Sequence, residues 1–483
     1  VDIKDRDLRS IQEVRFLVKE AKKAQKEFAK FSTELINEIV KQLSMAARAE
    51  AENLAKMAVE ETGFGIWQDK MTKNIVASEK LYEHIKDMKT IGIINEDKDR
   101  KIVEIGTPVG VIAALIPSTN PTSTAIYKAL IALKSGNAII FSPHPRALKC
   151  TLKTVEVLKK AAAGMGAPEG LISCMSIPTI EGTNELMKHE DVSLILATGG
   201  TAMVKAAYSS GTPALGVGPG NVPAFIERSA DVKKSISKIL ASKTFDNGTV
   251  CASEQAVVTE RCIADKVKDE FEKQGGYFLK GEEIDRVVKI METPSGGMNP
   301  KIVGKSAKDI AAMAGITIPD GVKVLICEEK GVGKEYPFSK EKLTQLLAFY
   351  TVEDWIEGCE LCYKLLENGG LGHTMVIHSN NEEIIREFAL KKPVSRLLVN
   401  TPSTQGAIGL STGLAPALTL GCGAVGGSAT SDNVGPEHLI NIRRMAYEVD
   451  DLDIKPEEDK SIDKLDIEAI CKMVIEELKN IKK

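Results

Sequence analysis

The sequence predicts an α/β protein with doubly wound parallel sheets, and three observations carry that prediction. Short apolar strand-like runs alternate with amphipathic helical segments from about residue 101 to about residue 425, the pattern of strands covered on both faces by crossover helices. The stretch before them, from Ser10 to Met88, is helical and charged, with apolar residues three and four apart in "VRFLVKEAKKAQKEFAKF". At 483 residues the chain has room for two or three domains with ample core.

Taken in order, "KIVEIGTPVGVIAALIPS" (101–118) changes the pattern to β-branched runs broken by glycine. "TAIYKALIALKSG" then reads as helix and "NAIIFSPHP" as strand, "ALKCTLKTVEVLKKAAAGMG" as helix and "LISCMSI" as strand. "GTNELMKHED" and "VSLILATGG" repeat the alternation, as do "TAMVKAAYSSG" and "PALGVG". A second α/β series opens near Val222 with "PAFIERSADVKKSISKILASKTF". The segment "DDLDIKPEEDKSID" (450–463) is acidic and contains proline, which reads as a linker, and one more helix follows over 464–483.

Composition narrows the function classes. An apolar fraction of 43% and a charged fraction of 27% are those of an ordinary globular protein. A net charge of −4 gives no electrostatic case for nucleic acid or an anionic membrane. No run of about 18 apolar residues is present to span a bilayer, and the charged, helical first twenty residues show no secretory leader. The nine cysteines are scattered singly apart from Cys359 and Cys362. That pair sits in a helical run with no second ligand pair nearby, so it reads as packing, and no metal is expected. Reduced cytoplasmic thiols are the expectation. Cys150 and Cys174 read as core or helix-face residues, and Cys422 as packing in a glycine-rich turn.

Cys251, in "TFDNGTVCASEQ" (244–255), is different: it lies among small and polar neighbours that leave a thiol accessible. A thiolate is a strong nucleophile even when it is a minor species at neutral pH. Asn120 in "IPSTNPTSTA" stands at a strand end before a proline, where a side-chain amide either satisfies the turn or stabilises an oxyanion. "ATGGTAMVKAA" (197–207) is a strand end, two glycines and a helix start. Thr198, Gly199 and Gly200 there form either a plain tight turn or a turn that aims N–H groups at a pyrophosphate. "GVGPGN" (216–221), with Gly218, is a second turn of this kind.

Together, "IPSTNPT", "ATGG", "GVGPGN", "FDNGTVCASEQ", "GLGHTMVIH" and "TLGCGAVGGSATSDNVGPEHLINIRR", in this order between about residues 10 and 450, resemble the CoA-acylating aldehyde dehydrogenases, including the aldehyde dehydrogenase half of bifunctional alcohol/aldehyde dehydrogenases. The resemblance implies the aldehyde dehydrogenase fold: a Rossmann-like cofactor domain over 1–222, a catalytic domain over 223–425, and a return to the cofactor domain over 426–449. A small β oligomerisation element would combine a hairpin near 97–108 with the strand around 437–449. Cys251 falls where the family keeps its nucleophile and Asn120 where it keeps an oxyanion donor, the second donor being a backbone N–H such as that of Cys251. NAD, or alternatively NADP, would be held by Thr198, Gly199, Gly200, Gly218, by Glu341 on the nicotinamide ribose, and by the adenosine-ribose strand end Ser142, Pro143 and His144. Pro145 replaces an acidic residue common there, and Arg146 beside it favours a 2′-phosphate. Gln345 replaces a proline common in the Glu341 stretch.

The implied reaction converts a short-chain aldehyde, CoA and NAD⁺ to acyl-CoA and NADH, reversibly, through a thioester on Cys251. Hydrolytic members of the superfamily carry a glutamate base where Val217 falls here, which leaves CoA to discharge the thioester. His373 reads as a positioned loop histidine near the site, with a general base as the alternative. A hydrolytic dehydrogenase and a catalytically silent scaffold of the same fold are the alternatives, the first disfavoured by Val217 and the second by the intact Cys251 and Asn120. A homodimer or dimer of dimers is expected.

The tail "DKLDIEAICKMVIEELKNIKK" places Ile467, Ile470, Cys471, Val474, Leu478 and Ile481 on one helical stripe and Glu468, Lys472, Glu476 and Lys479 opposite. It resembles the encapsulation peptides that carry enzymes into bacterial microcompartments by binding shell proteins, the alternative being a helix that packs on its own dimer or only improves solubility. Propionaldehyde or acetaldehyde confined in such a compartment would then be the substrate.

Overall fold

The computed structural model describes residues 3–293, 298–449 and 467–481. The acidic linker expected over 450–463 lies outside the described residues. Five α-helices and one π-helical segment between Arg6 and Ile85 lead into a hairpin of β1 (Gly92–Asp97) and β2 (Ile102–Pro108). The hairpin turn thus falls at 98–101, so the expected range of 97–108 captured only its second strand and turn.

A five-stranded parallel sheet follows, from β3 (Val111–Ile116), β4 (Ala138–Pro143), β5 (Ile172–Cys174), β6 (Val192–Thr198) and β7 (Ala214–Val217), in the spatial order β5-β4-β3-β6-β7. Seven further parallel strands make a second sheet: β8 (Val222–Ile226), β9 (Glu254–Glu260), β10 (Gly276–Phe278), β11 (Val324–Glu328), β12 (Leu346–Val352), β13 (Gly372–His378) and β14 (Val394–Val399), ordered β10-β11-β12-β9-β8-β13-β14. The chain then returns to the hairpin, where β15 (Ile440–Ala446) pairs antiparallel with β2, from Ile440 opposite Pro108 to Ala446 opposite Ile102. The α/β fold expected from the alternating pattern is the fold observed.

Strand composition explains the parallel sheets. Every residue of β3 and β4 is buried, which requires helices on both faces, and the runs "VIAALI" and "AIIFSP" carry almost no polar side chain to solvate. "LISCMSI" gives only three paired residues because β5 is the edge strand of its sheet. Cys359 and Cys362 are buried in the helix Trp355–Glu367 and pack in the core of the second sheet.

The helix Pro121–Lys134 fixes two strand ends of the first sheet. Proline at its first turn stops strand-like continuation and needs no N–H partner there. Its Lys128 is fully buried, and Nζ donates to the Leu115 carbonyl at 2.8 Å and to that of Leu196 at 2.9 Å. Burial drives the amine well below its ordinary pKa, and its two hydrogen bonds clamp the C-terminal ends of β3 and β6, from which Asn120 and Gly199 emerge. Lys128→Met would leave two buried strand-end carbonyls without donors, at a cost of about 1–3 kcal/mol each. A lowered urea midpoint with an unchanged far-ultraviolet spectrum is the expected result.

The helix Ile467–Asn480 forms within the expected tail. No side chain from 468 to 481 is buried, and Ile470, Val474, Leu478 and Ile481 on the predicted stripe are all exposed, as is Met473. No helix among the described residues is long and apolar enough to cross a membrane.

Candidate active site

All ten residues singled out in the sequence line one cavity of about 840 Å³. Four strand ends of the first sheet reach it. Asn120 follows β3, Ser142, Pro143 and His144 close β4, Thr198, Gly199 and Gly200 close β6, and Val217 and Gly218 close β7. The opposite wall comes from segments that enter the second sheet, with Cys251 ahead of β9 and Glu341 ahead of β12.

Cys251 follows a tight turn, Phe245–Gly248, in which Asp246 and Asn247 both adopt left-handed backbone at φ 49° and 52°. Non-glycine residues hold that conformation at a cost of about 1–3 kcal/mol each, and they persist only where surrounding contacts enforce it. The thiol is half-buried, not open as its small neighbours suggested. Segments remote in sequence crowd its backbone: a Cβ on Gly220 would come within 2.2 Å of the Cys251 carbonyl and 3.1 Å of the His373 ring. Burial, then the Glu341 carboxylate, pushes the Cys251 thiol up to about 12, against a lowering pull from Arg396.

Asn120 is the N-cap residue of the helix Pro121–Lys134, but its side chain does not cap. Its Oδ1 accepts from Lys73 Nζ at 2.6 Å, and its Nδ2 donates to Thr119 Oγ1 at 3.2 Å and to the Thr249 carbonyl at 3.4 Å. The turn reading of this residue therefore gives way to a tethered amide at the cavity wall.

Lys73 and Asp246 were not legible as site residues. Lys70 and Lys73 lie three apart on the helix Trp67–Ile75 and so share a face. Both ammonium groups bond Asp246 Oδ2, with Lys70 at 2.9 Å, and the three side chains are at most 2% exposed. Asp246 Oδ2 also accepts from Thr249 Oγ1 at 2.7 Å, and Oδ1 from the Ile66 N–H at 2.8 Å. Burial raises the Asp246 carboxyl, but Lys73 and Lys70 outweigh it and hold the group below its ordinary pKa. Burial pulls Lys73 down to about 8 against the attraction of Asp246. Gly65, at φ +70°, is required beside this cluster, because a Cβ there would lie 1.8 Å from Asp246 Oδ1.

Glu341 Oε1 accepts from the Gly220 N–H at 3.1 Å, and burial pushes its carboxyl up to about 7. Gln345 bridges this stretch to the turn before Cys251, with Nε2 donating to Asn247 Oδ1 at 2.9 Å and Oε1 accepting from the Ala307 N–H at 2.8 Å. The helix Thr201–Tyr208 opens on the cavity with Gly200 as its N-cap, so its first-turn N–H groups have no side-chain cap. The Met203 N–H bonds the Gly200 carbonyl at 3.0 Å, and the Thr201 and Ala202 N–H groups ahead of it fit an anionic pyrophosphate. His144 Nδ1 accepts from the Arg146 N–H at 3.1 Å, and Arg146 is exposed.

His373 is not a loop residue. It is the second residue of β13 and fully buried, because the glycines of "GLGH" end a turn one residue earlier than the sequence suggests. Its Nδ1 faces Thr374 Oγ1 at 2.9 Å, and Nε2 has no partner among the described residues. Burial and Arg396 lower it to about 3, so the ring is neutral at physiological pH. Cys422 is buried, with Sγ against the Leu420 carbonyl at 3.5 Å.

A family model described as "Aldehyde dehydrogenase family" matches residues 6–333. The chain belongs to the aldehyde dehydrogenase family. It is 45% identical over 448 residues to the bifunctional aldehyde-alcohol dehydrogenase of Escherichia coli K12, a match that covers 92% of this chain and 50% of that relative, so the chain spans half the relative's length. The crystal structure of an acetylating aldehyde dehydrogenase from Geobacillus thermoglucosidasius superposes with a TM-score of 0.92 at 53% identity, covering 93% of this chain and 99% of that one. A propionaldehyde dehydrogenase from the fucose utilisation bacterial microcompartment of Clostridium phytofermentans gives a TM-score of 0.82 at 30% identity, covering 90% and 97%.

Two results test the site. Cys251→Ala should abolish turnover while leaving folding and cofactor binding intact, and a variant with a tenth of the parent rate would remove Cys251 as nucleophile. With the thiol pushed up to about 12, its thiolate fraction rises tenfold per pH unit across the working range. Inactivation by iodoacetamide without other ligands should therefore accelerate log-linearly from about pH 6 to pH 10. A plateau below pH 8 would contradict that environment for Cys251.

Proposed function

We propose that this protein is a CoA-acylating aldehyde dehydrogenase that converts a short-chain aldehyde, CoA and NAD⁺ to acyl-CoA and NADH, in either direction. The observation that carries the proposal is the single cavity in which Cys251, the Asn120 amide and the glycine turns converge while Val217, an apolar residue, occupies the wall position at the end of β7. The similarity to an acetylating aldehyde dehydrogenase supports the same reading.

The Cys251 thiolate attacks the aldehyde carbon, and the Asn120 amide together with a backbone N–H stabilises the oxyanion that forms. Thr198, Gly199, Gly200 and Gly218 would cradle the cofactor pyrophosphate, Glu341 would bond the nicotinamide ribose, and Ser142, Pro143 and His144 would flank the adenosine. The bound nicotinamide supplies the hydride acceptor. The acyl group is then held as a thioester on Cys251. Val217 offers no carboxylate to activate water, so the thiol of CoA takes the acyl group. NAD is the proposed cofactor, with NADP as the alternative that Arg146 favours.

Functionally, the five-stranded sheet would serve as the cofactor domain and the seven-stranded sheet as the catalytic domain. The antiparallel sheet of β1, β2 and β15 would be the oligomerisation element of a dimer or dimer of dimers. The exposed apolar stripe of the helix Ile467–Asn480 supports docking on a microcompartment shell protein, with propionaldehyde or acetaldehyde as the confined substrate. The microcompartment relative supports that location.

NADH formation over C2 to C6 aldehydes, with and without CoA, tests the activity. A burst of about one NADH per active site without CoA, followed by a slow phase, is the expected result, whereas equal steady rates of free-acid production with and without CoA would refute it. For the tail, deleting residues 451–483 should leave turnover and oligomeric state unchanged and end co-sedimentation with shell proteins. Shell association of the truncated enzyme, or loss of its activity, would make the tail structural instead.

A further inference from the structure

Resting on the assignment of Asn120 as oxyanion donor, we propose that Lys73 is a positioning residue that fixes which end of the Asn120 amide faces the substrate and polarises it for that task. An asparagine side chain presents a donor at one end and an acceptor at the other, and only the donor can stabilise an oxyanion. A lysine ammonium has three donors and no acceptor. Its 2.6 Å contact therefore admits Asn120 in one orientation, with Oδ1 toward Lys73 and Nδ2 turned away.

The remaining donors of Lys73 are both accounted for. One bonds Asp246 Oδ2, and the other reaches Thr249 Oγ1 at 3.2 Å. Thr249 Oγ1 in turn donates to Asp246, at 2.7 Å to Oδ2, which leaves its lone pairs for Lys73. The ammonium thus has no spare donor to wander to. Lys70 is anchored separately, with Nζ on the Thr119 carbonyl at 2.8 Å and on Asp246.

On the other end of the amide, the two Nδ2 bonds are long, at 3.2 and 3.4 Å. Neither is shorter than the long end of the usual range for a well-made N–H···O bond, so exchange for a shorter bond to a developing oxyanion sacrifices little. A charged donor on Oδ1 draws electron density through the amide and strengthens Nδ2–H as a donor. Lys73 itself also lines the cavity, so its charge lies on the side where the negative charge appears. The same carboxylate, Asp246, sits in the turn that carries Cys251, so one buried cluster sets the relation between nucleophile and oxyanion donor.

A double-mutant cycle on the full chain tests this, reading the rate of the first-turnover NADH burst together with kcat and KM. Asn120→Ala should lose about 10²–10³ in kcat. Lys73→Met should lose at least tenfold in kcat with the aldehyde KM nearly unchanged, and should cost less than threefold more when added to Asn120→Ala. Lys73→Gln, which keeps a neutral N–H donor, should fall between the parent and Lys73→Met, and it replaces Lys73→Met in the cycle if that variant does not fold. A Lys73 loss that multiplies in full onto Asn120→Ala would make the lysine merely structural and overturn the inference. A loss under tenfold for Asn120→Ala would instead remove the oxyanion assignment beneath it.

Discussion

One carboxylate, that of Asp246, holds three separate pieces of this protein together. Lys70 and Lys73 bring in an N-terminal helix, the Lys contacts to Thr119 and Asn120 bring in the end of β3, and the Asp246 backbone carries the turn before Cys251. Lys70, Lys73 and Asp246 are buried, and a buried ion pair is not a cheap source of stability, since desolvation offsets much of the attraction. Removing one partner, however, leaves an uncompensated charge at a cost of about 3–5 kcal/mol. The cluster is therefore better understood as a device that fixes geometry. Two consecutive non-glycine residues in left-handed backbone, Asp246 and Asn247, are held by it and by the Gln345 bridge.

The cavity follows from how the two sheets are used. Parallel strands place their loops in a crevice at the carboxyl ends, and in the first sheet β3, β4, β6 and β7 all deliver residues there. The second sheet meets that crevice with segments that precede its strands, which is why Cys251 and Glu341 lie just before β9 and β12 and not after them. The groups of the first sheet thus follow directly on strand ends, and the buried Lys128 side chain locks two of those ends together.

Much of this was legible because it is local. Runs such as "VIAALI" and "VSLILAT" are too apolar for any place but a buried sheet, and the helices between them show their stripes. The glycine turns and Cys251 also announced themselves through residue type. The illegible parts depend on residues far apart in the chain. Lys70 and Lys73 went unmarked in a charged helical stretch, because nothing local tells that their counter-charge arrives from Asp246, 173 positions beyond Lys73. The crowding at Cys251 was missed for the same reason: small neighbours leave space, and Gly220 and the His373 strand press close to its backbone. His373 itself was displaced from strand to loop because "GLGH" has the composition of a turn, while the pairing that begins at Gly372 belongs to the sheet.

The central claim is that Cys251 carries the acyl group and that CoA, not water, removes it. Intact-mass and peptide-mass measurement after incubation with propionaldehyde and NAD⁺ tests this directly. The account predicts one added propionyl group per chain, located on Cys251, stable in buffer and lost within seconds of adding CoA. An unmodified Cys251, or an adduct that clears equally fast without CoA, would contradict it.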